Sequence, residues 1–158
     1  MTETADGIEM LRTVGAYQFG AGAGTVLFPR EGELSLTRTS SGRPRQAHAP
    51  GGRIATYGTD GRLRLGLEGG RRLSEEWSET AYSVVVGDES VPHVRAERNA
   101  FAKFVLEADS VIRPRDEVVV KHPERGVLAV GRAELSGLGM LDFETGVAVF
   151  VREGGQSS

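Results

Sequence analysis

Ile8, Leu11 and Val14, with Met10 and Tyr17 beside them, recur at helical spacing behind Thr4 and Asp6, either of which can cap a helix start. The spacing predicts a helix over about 7–17. Phe19-Gly20-Ala21-Gly22-Ala23-Gly24 follows, and its alternate glycines allow a tight turn or a closely packed backbone. A dinucleotide cradle needs a strand before such glycines and a helix after them. Here a helical pattern precedes them and Pro29 soon follows Val26-Leu27-Phe28, which argues against one. From Leu34 to Leu67, short alternating segments (34–36, 53–57, 62–65) are broken by Ser41-Gly42, Gly51-Gly52 and Asp60-Gly61. They predict a meander of hairpins. In Arg62-Leu63-Arg64-Leu65 the leucines face a core and the arginines face water, because side chains alternate along a strand.

A short helix is expected over Glu68–Trp77, then a strand over 82–86, which puts a domain boundary near 78. Beyond it come a helical or turn segment over 89–96 and a strand around Phe104-Val105-Leu106. Residues 116–121 and 126–131 form a hairpin across Pro123-Glu124-Arg125, an amphipathic segment runs from Leu135 to Phe143, and 147–151 is a closing strand. Many short strands with two small helices describe a small barrel. The fold class expected is α+β: a small N-terminal α+β domain over 1–78, a β-barrel domain with short helices over 79–153, and a loose tail over 154–158.

At 158 residues, 39% hydrophobic and 26% charged, the chain can bury a core. It has no cysteine, which removes disulfides, thiol catalysis and cysteine-based zinc sites and makes a reducing cytoplasm the expected compartment. No apolar run approaches the ~18 residues of a membrane span, and residues 1–10 are acidic and polar where a signal peptide is basic then apolar. The net charge of −3 divides unevenly: +1 over 1–78 and −4 over 79–158. Between Arg38 and Arg72, eight arginines face only Asp60 and Glu68, a candidate polyanion surface.

Phe101-Ala102-Lys103-Phe104-Val105, Ile112-Arg113-Pro114-Arg115-Asp116-Glu117-Val118, Leu128-Ala129-Val130-Gly131-Arg132-Ala133 and Gly146-Val147-Ala148-Val149 occur in the order seen in PUA domains, and the second half resembles one. Tyr17-Gln18-Phe19-Gly20, Gly22-Ala23-Gly24, Leu27-Phe28 and Glu68-Gly69-Gly70-Arg71-Arg72-Leu73 resemble the small domain that precedes PUA in archaeosine tRNA-guanine transglycosylases, and stand-alone archaeal proteins of like architecture. The catalytic barrel of those enzymes has no counterpart in these residues. The resemblance implies RNA binding, to tRNA first, without base exchange. It maps the RNA surface onto Arg95, Arg98, Asn99, Lys103, Phe104 and Arg152, with Arg132 a further candidate. Arginine and lysine neutralise phosphates, asparagine donates to phosphate or 2′-hydroxyl, and a ring stacks on a splayed base. Phe101 and Phe104 are alternatively core residues of the barrel.

The chain departs from the family at Glu97 and Arg115, where relatives carry glycine. A carboxylate beside a phosphate path repels RNA, and Arg115 compensates if it faces the ligand. With the second half at −4, Arg62 and Arg64 of the first half are expected to supply phosphate contacts. His48, in an arginine and proline loop, His93, and His122 before a turn lie far apart, so no metal site and no cofactor are expected. Asp109, Asp116 and Glu117 read as turn residues, and Asp142 and Glu144 as the polar face of the last helix, so no enzymatic activity is expected. The alternative function is a non-catalytic subunit that docks on a separately encoded transglycosylase catalytic chain. A small-molecule enzyme would need a deep polar pocket.

Overall fold

The computed structural model describes residues 2–76 and 82–155, with side chains described from Asp6 onward. Contacts divide the chain into two units, Met1–Ser78 and Glu79–Ser158. The boundary expected near 78 and the expected helix end at Trp77 lie outside the described residues.

The first unit opens with helix α1 (Thr2–Phe19), longer at both ends than the apolar spacing alone indicates. Its buried face carries Ile8, Leu11 and Phe19. A turn through Gly22, in the left-handed region, leads into the short helix α2 (Ala23–Leu27). The glycine run serves close packing: a Cβ on Gly24 would lie 2.0 Å from the backbone oxygen of Arg12. Arg12 seals the junction, its Nε donating to Phe28 O at 2.5 Å and its Nη2 to Pro29 O at 3.2 Å.

The meander follows as an antiparallel sheet in sequential order, β1 (Ser35–Arg38), β2 (Pro44–Ala49), β3 (Gly52–Tyr57) and β4 (Leu63–Leu65), after which α3 runs from Leu67 to Glu76. Strand β2 occupies what the arginine- and proline-rich composition indicated as loop, so His48 is a strand residue paired opposite Ser35 and Arg53. Leu63 and Leu65 are buried and Arg64 between them is exposed, the alternation expected of that segment. At the free edge of β4 the Gln18 amide donates to Leu63 O at 2.8 Å and accepts from Leu63 N at 2.7 Å.

The second unit contains β5 (Ser83–Val86), a 3-10 turn (Asp88–Ser90), α4 (Val91–Arg95), β6 (Ala100–Phe101), a 3-10 turn (Ala102–Phe104), β7 (Val105–Ala108), β8 (Glu117–His122), β9 (Gly126–Ala133), α5 (Gly137–Asp142) and β10 (Val147–Gly154). Its six strands lie in the order β6-β10-β9-β8-β5-β7, a nearly closed barrel-like sheet in which only β5 and β8 run parallel. Alternation along β8 sends Val118 and Val120 into a core shared with Val84, Val86, Val94, Ile112, Leu128, Met140 and Val149. The β8–β9 hairpin pairs Val119 with Val130 across the expected turn. Of the loose tail expected from Gly154, two residues are held: Gly154 ends β10, and Gly155 N donates to Leu128 O at 2.7 Å. Residues 156–158 lie outside the described residues. Glu144 falls beyond the end of α5 and is not on its polar face.

Candidate nucleic-acid interface

The most built feature of the second unit is a cleft of about 480 Å³ between α4 and the turn that follows β6. Sequence dictates its geometry step by step. Pro92 lies in the first turn of α4, where a missing N–H costs nothing. Val91 and Val94 anchor the helix in the core, which leaves His93 on the outer side. The helix ends in a Schellman motif: Glu97 N donates to Val94 O at 3.0 Å and Arg98 N to His93 O at 2.9 Å. That motif requires a left-handed residue after the cap, and Glu97 supplies it with φ 67°.

The motif turns the chain so that Arg98 and Asn99 line the cleft. Asn99 Oδ1 accepts from Val151 N at 3.2 Å, which fixes the loop to the irregular end of β10. Next, Ala102 is buried while Phe101 on one side and Lys103 on the other point outward. The 3-10 turn brings Phe104 round to the same cleft, with Lys103 Nζ 5.0 Å from its ring centre. The walls thus hold two rings, Phe101 and Phe104, and the cations Arg98 and Lys103, with His93 and Ser90 completing them. Phe101 is 45% exposed and Phe104 half-buried, so neither is a core residue, correcting that alternative. Among the described residues no carboxylate pairs with Arg95, Arg98 or Lys103.

Of the residues singled out in the sequence, the fold gathers Arg98, Asn99, Lys103 and Phe104 in this cleft, and Arg95 sits on α4, half-buried. Arg132 lies elsewhere, on the outer face of β9, 5.6 Å from the ring of Phe150, its partner across the strands. Arg152 is committed to another task. Its Nη1 donates to Glu117 Oε2 at 3.2 Å and its Nη2 to Glu117 Oε1, a two-pronged pair around a carboxylate whose side chain is 6% exposed. A buried carboxylate needs such a partner, so Glu117 is a core anion and not the turn residue its sequence context indicated. In the first unit, Arg64 pairs with Asp60 at 3.4 Å, and Asp60 Oδ1 accepts from Arg62 N at 3.1 Å. That backbone hydrogen bond, then the charge of Arg64, hold the Asp60 carboxyl below its usual 3.8.

Glu97 does not aim at the cleft walls by any bond observed; its Oε2 accepts from Gly154 N at 3.2 Å, pinning the end of β10. Arg115 also has positive φ, 78°, and its backbone N donates to Ala133 O at 2.7 Å. Both departures from glycine thus sit where the backbone is left-handed, which is the physical reason glycine suits them. His93, Ser90 and Phe101 were not singled out as binding residues. The readable signal for Phe101 is its spacing from Phe104 across a turn whose i and i+3 side chains eclipse.

Residues 82–155 match the family model of the PUA domain, and residues 9–79 match that of the patch-forming domain C2 of tRNA-guanine transglycosylase. The class is therefore a C2 patch-forming domain followed by a PUA domain. The tRNA-guanine(15) transglycosylase of Thermococcus kodakarensis is 40% identical over 153 residues, covering 96% of this chain and 26% of that one. That of Pyrococcus furiosus is 42% identical over 145 residues, covering 91% and 24%. Among solved structures, a hypothetical protein of Pyrococcus horikoshii superposes with TM-score 0.69 at 20% identity, covering 94% of this chain and 90% of its own. A conserved PUA domain protein of Thermoplasma acidophilum gives 0.62 at 18%, covering 96% and 89%. These two show a shared fold. The chain is homologous to the C-terminal region of the archaeal tRNA-guanine(15) transglycosylases, and it spans about a quarter of the length of those relatives.

Proposed function

We propose that the protein binds structured RNA, tRNA first, in the service of RNA modification and without catalysing base exchange itself. The observation that carries this reading is the cleft, in which Phe101 and Phe104 stand beside Arg98 and Lys103 with no carboxylate pairing either cation among the described residues. Rings and unpaired cations on one concave surface are what single-stranded RNA requires, base stacking on the first and phosphate neutralisation on the second. Homology to tRNA-guanine(15) transglycosylases supports tRNA as the ligand. Among the described residues no three His, Cys, Asp or Glu side chains gather to hold a metal, and no helix is long and apolar enough to cross a membrane. The test is binding of the purified chain to total tRNA, with and without its 3′ end, at two salt concentrations by fluorescence anisotropy. Salt-sensitive binding at about micromolar Kd or tighter, weakened by trimming, is expected; no binding at low salt rejects the reading.

A second reading, a non-catalytic subunit that docks on a separately encoded transglycosylase catalytic chain, has the homology to those enzymes behind it. Co-purification of the two chains separates it from autonomous RNA binding.

A further inference from the structure

Two stretches of the second unit differ in composition from the rest. Neither 104–112 nor 133–151 contains a lysine or arginine, yet together they hold Glu107, Asp109, Glu134, Asp142 and Glu144. The fold brings these stretches together, because α5 packs along β7 and Gly137 N donates to Ile112 O at 3.0 Å. A Cβ on Gly137 would lie 2.0 Å from Asp109 O, so the start of α5 lies directly against the 109–111 turn.

This side is also the greasiest part of the surface. Eight large apolar side chains are exposed among the described residues, and four of them lie on α5, just beyond it, or in the 109–111 turn it starts against: Val111, Leu138, Leu141 and Phe143. Leu138 is 66% exposed and Phe143 55%. Helix α5 buries Met140 in the core, which leaves Leu138 and Leu141, three apart, on its outward side. Apolar side chains concentrated on one surface mark an interaction site.

Its rim decides the occupant. Asp142 and Glu144, at and just beyond the end of α5, and Glu107 on β7 repel a phosphate backbone, so this is not an extension of the RNA cleft. An anionic membrane surface is repelled for the same reason. A second copy would bring the same acids to a two-fold contact, like charge against like. What remains is charge-complementary. We infer that the α5–β7 side is a docking surface for a different protein, through an amphipathic segment whose apolar face is flanked by lysine or arginine.

The inference stands on exposure and charge and does not rest on RNA binding. It has a geometric consequence for it, however: α5 also packs against the 102–104 turn, which carries Lys103 and Phe104. The docked chain would border the cleft.

The test titrates the full chain with a synthetic amphipathic helix of leucine and lysine, and with its counterpart carrying glutamate for every lysine, by fluorescence anisotropy. The lysine peptide is expected to bind and the glutamate peptide not to. Asp142→Lys/Glu144→Lys and Leu138→Ser/Leu141→Ser are each expected to weaken the lysine peptide about tenfold, the charge variant most at low salt. The leucine variant should leave tRNA binding unchanged. No binding of either peptide, equal binding of both, or unaltered binding by the variants overturns the proposal. So does loss of tRNA binding in the leucine variant, or a wild-type dimer in sedimentation that the variants dissolve. If the leucine variant does not fold by circular dichroism, the exposed charge variant decides. Failure of the tRNA titration with peptide binding intact would reject the RNA reading alone.

Discussion

Replacing Arg115 by glycine should stabilise the protein, although it deletes a long side chain. Arg115 is held at φ 78° by the hydrogen bond from its own backbone N to Ala133 O. A residue with a Cβ costs roughly 1–2 kcal/mol in that region, of which glycine returns about 0.5–1 kcal/mol through the greater entropy of its unfolded chain. The net gain is about 0.5–1 kcal/mol, or roughly 2–8 °C in Tm for a unit of this size. The exposed Arg115 side chain has no partner to lose among the described residues. Arg115→Ala is the discriminating control, since alanine keeps the Cβ and its strain and should give no gain. Glu97→Gly removes similar strain at φ 67° but also the bond from Gly154 N to the carboxylate, worth about 0.5–1.5 kcal/mol, so it should be nearly neutral. Thermal melts followed by circular dichroism read all three. Arg115→Ala gaining as much as Arg115→Gly, or a fall in Tm for Arg115→Gly, refutes the strain argument.

Further outcomes follow from the same geometry. His122 Nδ1 accepts from Glu124 N and Arg125 N at 3.1 and 3.2 Å, while Nε2 faces Asp88; His122→Phe strands both amides and should cost about 1–3 kcal/mol in urea unfolding. Arg152→Ala leaves the Glu117 carboxylate buried without its guanidinium and should cost about 3 kcal/mol, largely restored in Arg152→Gln/Glu117→Gln; equal stability of single and double variants would contradict the pairing. Gly24→Ala forces a Cβ into the Arg12 carbonyl and should melt the first unit well below wild type, by about 3 kcal/mol or more. Glu9, hydrogen-bonded by Arg30 and Arg12, has its carboxyl held below the usual 4.5. Its contribution is present above that pH and is lost as pH falls below it, so the acid limb of Tm against pH should be shallower in Glu9→Gln.

Much of this architecture was legible because local signals agreed. The β8–β9 hairpin was readable from two apolar runs around Pro123-Glu124-Arg125, and the Arg62–Leu65 alternation from its period. Strand β2 was not, because Pro44, Arg45 and His48 are poor strand residues individually and the strand is imposed by pairing on both sides. The cleft was legible by resemblance at Arg98, Asn99, Lys103 and Phe104, yet His93 and Phe101 join it only through the Schellman turn and the 3-10 turn, which sequence spacing does not display. The pairing of Arg152 was not legible for a related reason. A cation at a strand end looks like a surface charge until the fold buries its partner, Glu117, thirty-five residues away in the chain.

The central claim of the proposal is that the cations of the cleft carry phosphate contacts. The direct measurement compares the salt dependence of tRNA binding for the wild type, Arg98→Ala/Lys103→Ala and Arg62→Ala/Arg64→Ala. Removing two phosphate contacts should lower the slope of log K against log salt by about 1.4–1.8. The account predicts that loss for the cleft pair and a smaller one for the Arg62 and Arg64 pair, where Arg64 already leans on Asp60. An unchanged slope in Arg98→Ala/Lys103→Ala would contradict it.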